Sequence, residues 1–154
     1  MPLLNGIRVL AFENGLAGPL ATRLLADLGA DVIKVERPDG GDVTRAWDTV
    51  AAGLSSGFVW VNRGKRSVAL DVKDPEHRPA IERLIERSDV LLQNYTPGWA
   101  DRVGLGEDAV RALRPDVVYV DISGYGPDGP YARKNAYDLV MQGETGLIAV
   151  TGSP

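Results

Sequence analysis

Three carboxylates have sequence surroundings that admit acid–base or nucleophilic chemistry: Asp121, Asp138 and Glu144. Asp138 follows Tyr137 at the head of an apolar-periodic stretch, where a helix macrodipole favours a negative charge. Capping or dipole complementation therefore accounts for Asp138 at least as well as catalysis does. Asp121 lies in a run that reads as a strand, and a structural hydrogen-bond acceptor is its simpler role. No Ser-His-Asp grouping can be assembled, because the single histidine, His77, falls in a polar helix start far from any serine motif. One histidine and no cysteine also exclude thiolate catalysis, disulfides and cysteine- or histidine-based metal clusters, so no metal is expected.

Phosphate chemistry has more to work with. The segment Phe12-Glu13-Asn14-Gly15-Leu16-Ala17-Gly18-Pro19 joins a strand to a helix and keeps a Gly-x-x-Gly, but lacks the full G-x-G-x-x-G whose glycines admit a pyrophosphate. Glu36 ends the second strand, where a ribose-binding acid would sit. A tight turn and a strand-end charge explain both features better than NAD does, and no NAD is expected. Arg37 follows Glu36 directly, and a guanidinium at a strand's carboxyl end suits a phosphorylated nucleotide such as CoA, with its 3′-phosphate, better than NAD. The basic turn Asn62-Arg63-Gly64-Lys65-Arg66-Ser67 reads either as a solvated loop or as cations gathered for a diphosphate. Asn94-Tyr95-Thr96-Pro97-Gly98 follows another strand, where ligands of open α/β sheets bind. There Asn94 would meet a base edge and Tyr95 stack on it, or the stretch is simply a polar turn leading to Pro97.

The elements that must position these groups alternate regularly. Ile7 to Phe12 reads as a buried strand, Pro19 to Leu28 as a helix closed by Gly29, and Asp31 to Glu36 as the next strand, a βαβ unit. Ser67 to Asp71, Asp89 to Gln93 and Val117 to Ser123 read as further strands, the last apolar on both faces as in a covered parallel sheet. Asp74-Pro75 opens a helix carrying Ile81, Leu84 and Ile85, with Pro79 early enough to delay its start, and Gly106 to Arg114 is helical. Arg37 to Arg66 is irregular for roughly thirty residues, a length that usually carries function or covers another subunit. A turn-rich stretch, Ser123 to Asn135, precedes a last helix from Tyr137 to about Ala149. The expected fold is α/β: an open, doubly wound, mostly parallel Rossmann-like sheet with helices on both faces. With 154 residues, one domain is expected over 1–154. A net charge of -4 without a basic stripe speaks against nucleic acid. The opening MPLLNGIRVLAF is no signal peptide and no apolar run approaches the ~20 residues of a membrane span, so a cytoplasmic chain with no membrane partner is the default.

Several segments occur in a fixed order: Leu4-Asn5-Gly6-Ile7-Arg8-Val9-Leu10, Ala17-Gly18-Pro19, Leu28 to Glu36, Asn62 to Asp71, Asp89 to Arg102, and Tyr137-Asp138 with Gln142 and Gly146. Together they resemble the class III CoA-transferases, the family of formyl-CoA and carnitine CoA-transferases and of α-methylacyl-CoA racemase. The resemblance runs from Pro2 to Pro154. It implies homodimers whose chains interlock, each with a large Rossmann-like domain and a smaller one, of which this chain would be the amino-terminal part of the large domain, truncated relative to the family. It implies a CoA or acyl-CoA site drawing on Asn14, Leu16, Ala17, Arg37, Leu70, Lys73, Asn94, Tyr95, Arg102 and Tyr137, with Arg37 at the 3′-phosphate. Trp47, Tyr137 and Asp138 would lie nearer the reactive end in supporting roles.

In these transferases an aspartate attacks an acyl-CoA thioester to give a mixed anhydride and then an aspartyl-CoA thioester, and an incoming carboxylate is finally acylated. That aspartate follows the segment matching Leu147 to Pro154, so the resemblance implies no nucleophile within this chain and no activity from it alone. Racemases of the family resemble Gly-His-Asp where this chain reads Ala136-Tyr137-Asp138. A phenol with a pKa near ~10 replaces imidazole poorly near neutral pH, which favours transfer over racemisation. Leu16 stands where formyl-CoA transferase has a glutamine near the oxalyl group, which argues against oxalate and formate. The alternatives are a racemase-like enzyme and a non-catalytic nucleotide-binding or oligomerising module.

Overall fold

The computed structural model describes residues 1–132 and 134–152. Its strands are β1 (Arg8–Phe12), β2 (Asp31–Glu36), β3 (Arg66–Ala69), β4 (Val90–Gln93) and β5 (Val118–Asp121). They form one sheet in the order β3-β2-β1-β4-β5, and every pairing is parallel. Phe12 stands opposite Val35 on one side and Gln93 on the other, so the strand order reverses beside β1. Such a reversal opens a crevice beyond the carboxyl ends of the strands.

The pleat sends alternate residues to opposite layers. Leu10, Phe12, Ile33, Val35 and Leu91 pack with Ile81 and Ile85 of α3 (Arg78–Glu86), Ala100 of α4 (Trp99–Arg102) and Val110 of α5 (Glu107–Leu113). Val9, Ala11 and Val32 face the other way, against Leu25 and Ala26 of α1 (Ala17–Asp27). The sheet is therefore covered by helices on both faces, as expected. α1 ends in a Schellman motif: Gly29, at φ +100°, donates to the Ala26 carbonyl and Ala30 to that of Leu25, at 2.9 and 3.0 Å.

The differences from the sequence reading have local causes. Arg37 to Arg66 is not wholly irregular: it holds a 3-10 turn, Val43–Ala46, and α2 (Ser56–Asn62), capped where the Phe58 N–H donates to the Ser55 hydroxyl. α2 has only seven residues, too short for a helical period to stand out. α3 begins at Arg78 rather than near Asp74, because an earlier start would put Pro79 inside the helix, where its ring meets a carbonyl. The short helix α4 follows the Asn94 to Gly98 turn, where the sequence reading placed no element; Gly98, at φ +74°, precedes it. β5 is an edge strand among the described residues, as β3 is on the other side, and Val118 is 56% exposed rather than covered. The last helical stretch is two helices, α6 (Asp138–Glu144) and α7 (Leu147–Val150), broken at Gly146 with φ +77°. Ser153 and Pro154, the end of the expected single domain, and Arg133 in the turn-rich stretch lie outside the described residues.

Candidate functional site

The carboxyl ends of the strands stand over a buried cluster of charges on the α1 side of the sheet. Lys34 of β2, only 1% exposed, donates from Nζ to Asp42 at 2.7 Å and to Glu13 at 3.4 Å. Lys65 donates to Glu13 at 2.7 Å, to the Pro19 carbonyl at 2.8 Å and to Asn62 at 2.9 Å. Glu13 also accepts the Thr22 hydroxyl, and Asp42 accepts the hydroxyl and N–H of Thr44 and the N–H of Gly15. Burial pulls the Lys65 ammonium down to about 8 against the pull of Glu13. Lysines matched by carboxylates leave the cluster neutral, and nearly every polar atom is bonded, as a buried network requires.

Above it, Asn94 bridges the switch point. Its Oδ1 accepts the Asn14 N–H at 2.8 Å and its Nδ2 donates to the Asn14 carbonyl at 2.9 Å. The Asn14 side chain in turn accepts the Val43 N–H. Asn94 is therefore a clamp between the ends of β1 and β4, a role its sequence context did not suggest.

Two cavities flank this clamp. The first, about 290 Å³, has a floor of Phe12, Val35, Leu70 and Val72, with Tyr95 and Trp99 beside it. The Tyr95 and Trp99 rings stack at 4.1 Å between centroids. Burial pushes the Tyr95 phenol up, with the Arg37 cation pulling the other way. Arg37 and Lys73 stand exposed at the rim, and neither side chain makes an ion pair among the described residues. The second cavity, about 360 Å³, is lined by Ala17, Asn94, Tyr95, Lys134, Tyr137 and Asp138 among others. Tyr95 belongs to both, so the two cavities adjoin across its ring.

The structure thus gathers Arg37, Leu70, Lys73 and Tyr95 at one cavity and Ala17, Asn94, Tyr95, Tyr137 and Asp138 at the other. Asn14 adjoins them through its clamp. Leu16, Trp47 and Arg102 line neither. Leu16 is 44% exposed, Trp47 lays its ring against Gly57, and Arg102 is exposed on α4 beside Gly98. Tyr137 precedes α6 and is 71% exposed, while Asp138 accepts from Gln142 at 2.6 Å. Burial pushes the Asp121 carboxyl up, with the Gln93 amide opposing it. Glu144 is held by Tyr125 and Lys134.

The basic turn is a solvated loop at Arg63 and Arg66, both exposed, and does not gather its cations for a diphosphate. Arg63 pairs with Asp27, Arg66 with Asp31, and Lys65 is sunk into the charge cluster. Arg66 opens β3, at the opposite end of the sheet from the cavities, where no diphosphate on the carboxyl edge would reach it. Glu36 is similarly spent. Its oxygens accept Arg45 Nε at 2.7 Å, Arg45 Nη2 at 2.8 Å, the Ser67 hydroxyl at 2.6 Å and the Asp42 N–H at 3.1 Å. No lone pair is left well placed for a ribose diol.

Burial pushes the Glu36 carboxyl up, but Arg45, Ser67 and the Asp42 N–H outweigh it and hold it at about 2, below the usual 4.5. The folded chain then binds fewer protons than the unfolded one between those values. The stability due to Glu36 is present above pH 4.5 and lost as pH falls towards 2. The expected loss is up to about 3 kcal/mol. Urea unfolding at a series of pH values checks this, and Arg45→Ala should flatten the slope in that window.

Among the described residues no cluster of His, Asp or Glu is arranged to hold a metal, and no helix is long and apolar enough to cross a membrane. Comparison with known proteins adds a relationship. The sequence model of CoA-transferase family III matches residues 4–154. A succinate–glutarate CoA-transferase from Agrobacterium fabrum is 42% identical over 99% of this chain and 40% of its own length. Human succinyl-CoA:glutarate CoA-transferase is 42% identical over 97% of this chain and 34% of its own. The crystal structure of a CAIB/BAIF family protein from Brucella suis superposes with a TM-score of 0.92 at 39% identity, over 99% of this chain and 41% of that one. The chain thus spans well under half the length of the relatives it matches.

Proposed function

The chain belongs to CoA-transferase family III, and from that premise we propose that the whole protein moves CoA between an acyl-CoA and a free carboxylic acid, with residues 1–154 supplying the CoA-binding part. The observation that carries this reading is the first cavity: an apolar and aromatic floor at the carboxyl ends of the strands, with Arg37 and Lys73 at its rim beside Asp39 and Asp71 and in no ion pair among the described residues. Such a pocket suits an adenine between apolar walls and a 3′-phosphate against cations. The second cavity, adjoining across Tyr95, takes the pantetheine and acyl end. Glu36 being fully engaged speaks for CoA over NAD.

In this reading the chemistry follows the family resemblance. A carboxylate displaces CoA from the acyl thioester to form a mixed anhydride. The freed thiolate attacks the enzyme-side carbonyl to give an aspartyl-CoA thioester and release the first acid, and an incoming carboxylate then reverses both steps. The resemblance gives the nucleophile's role to none of Asp121, Asp138 and Glu144; Asp138 is bonded to Gln142, and Glu144 to Tyr125 and Lys134. Tyr137 and Asp138, which line the second cavity, serve there as supporting groups. The protein works as a cytoplasmic homodimer.

Arg37→Ala tests the reading. It should weaken CoA binding by about 1 kcal/mol or more, several-fold in Kd, because a charge-assisted contact is lost. The same substitution should leave the affinity for 3′-dephospho-CoA unchanged. Equal affinity of the native chain for CoA and 3′-dephospho-CoA would remove Arg37 from the phosphate.

A further inference from the structure

The segment between β1 and α1 carries Asn14, clamped to Asn94, and Ala17, a wall of the second cavity. What sets its span is a pair of staples beneath it. Lys65 bonds Glu13, immediately after β1, and the Pro19 carbonyl, in the first turn of α1. Thr22 bonds Glu13 and the Gly18 and Pro19 carbonyls. Lys65 alone among these reaches in from another part of the chain, the turn between α2 and β3, and its remaining proton goes to Asn62 of α2. Its side chain is 2% exposed and all three ammonium protons have acceptors, so it is fixed and not merely near.

We infer that Lys65 is a positioning residue for the pantetheine end of CoA: its ammonium, locked to Glu13, Asn62 and the Pro19 carbonyl, sets where the β1–α1 turn stands against the second cavity. The inference rests on the CoA reading above. Lys65 touches no ligand in this account and acts through the turn. The first cavity is built on β2, the segment after β3, and Tyr95 with Trp99; from β1 it takes Phe12, which the sheet holds, and no residue of the turn itself. Loss of Lys65 should therefore separate the two ends of the ligand, which a general loss of stability would not. Glu13 would keep Thr22 and Lys34, but one ammonium would then face two buried carboxylates, so Lys65→Met lowers stability and binding is compared where urea unfolding shows both variants folded.

The test is calorimetric titration of the native chain, Lys65→Met and Lys65→Gln with CoA and with adenosine 3′,5′-bisphosphate, which fills only the first cavity. For Lys65→Met the expected result is CoA affinity weakened about tenfold with bisphosphate affinity within about twofold of native. Lys65→Gln, which retains an N–H for the Pro19 carbonyl, should lose less. Equal losses for both ligands in both variants, or unchanged CoA affinity, would overturn the inference while leaving the CoA reading in place. Failure of the native chain to bind either ligand would overturn the CoA reading and this inference with it.

Discussion

Lys34→Met is expected to destabilise the fold by about 3–5 kcal/mol, the cost of leaving a buried charge without its partner. Lys34 holds Asp42 at 2.7 Å, and the side chains of both are at most 1% exposed. Removing the ammonium leaves Asp42 with hydrogen bonds from Thr44 and Gly15 but no counter-charge. Against a total stability of ~5–15 kcal/mol for a domain, that loss is large. The surface pair Arg23–Asp27 provides the contrast, since Arg23→Ala should cost about 0–1 kcal/mol. Urea unfolding measures both. If the cluster acts as one unit, adding Asp42→Asn to Lys34→Met should recover part of the loss, because the orphaned charge is then gone.

The sheet was legible because parallel strands covered by helices need runs of Val, Ile and Leu, and IRVLAF, DVIKVE and DVLLQ are such runs. The charge cluster was not legible for the same reason. Lys34 sits in DVIKVE, where alternation would turn a lysine outward, and only the approach of Glu13, Asp42 and Lys65 from distant parts of the chain turns its burial into a stable arrangement. The diphosphate reading of the basic turn misled in the opposite direction, since its cations are answered by Asp27, Glu13 and Asp31, which lie 35 or more positions away in sequence. Position at a strand's carboxyl end was the better signal: Arg37 and Tyr95, chosen for it, both line the first cavity. Leu16, Trp47 and Arg102 rested on the resemblance alone and fall outside both cavities.

Gly18→Ala should destabilise the chain and disable the switch-point clamp, although helix propensity alone predicts a gain of about 1 kcal/mol. A methyl group at Gly18 would stand 2.7 Å from Asn94 Cγ and 2.9 Å from its Oδ1, with Glu13 Cβ at 3.0 Å on another side. Asn94 is short and bonded through both heteroatoms, so it cannot swing aside without releasing Asn14. Overpacking of this kind costs about 1–3 kcal/mol, which outweighs the propensity gain and reverses the sign. CoA binding should fall by about 100-fold, since the displaced turn carries Ala17 into the second cavity. The double variant Gly18→Ala with Asn94→Ala should be more stable than the two separate costs predict, because the clash is relieved. Additive costs would place the effect elsewhere than the clamp.

The account stands or falls on whether residues 1–154 carry a CoA site. Calorimetric titration of this chain with CoA, with NADH as the control ligand, measures that directly. Saturable binding of CoA with none of NADH is the predicted result, from Arg37 and Lys73 at the rim of an apolar cavity and a Glu36 carboxylate fully engaged by Arg45 and Ser67. Binding of NADH, or no binding of CoA, would contradict it.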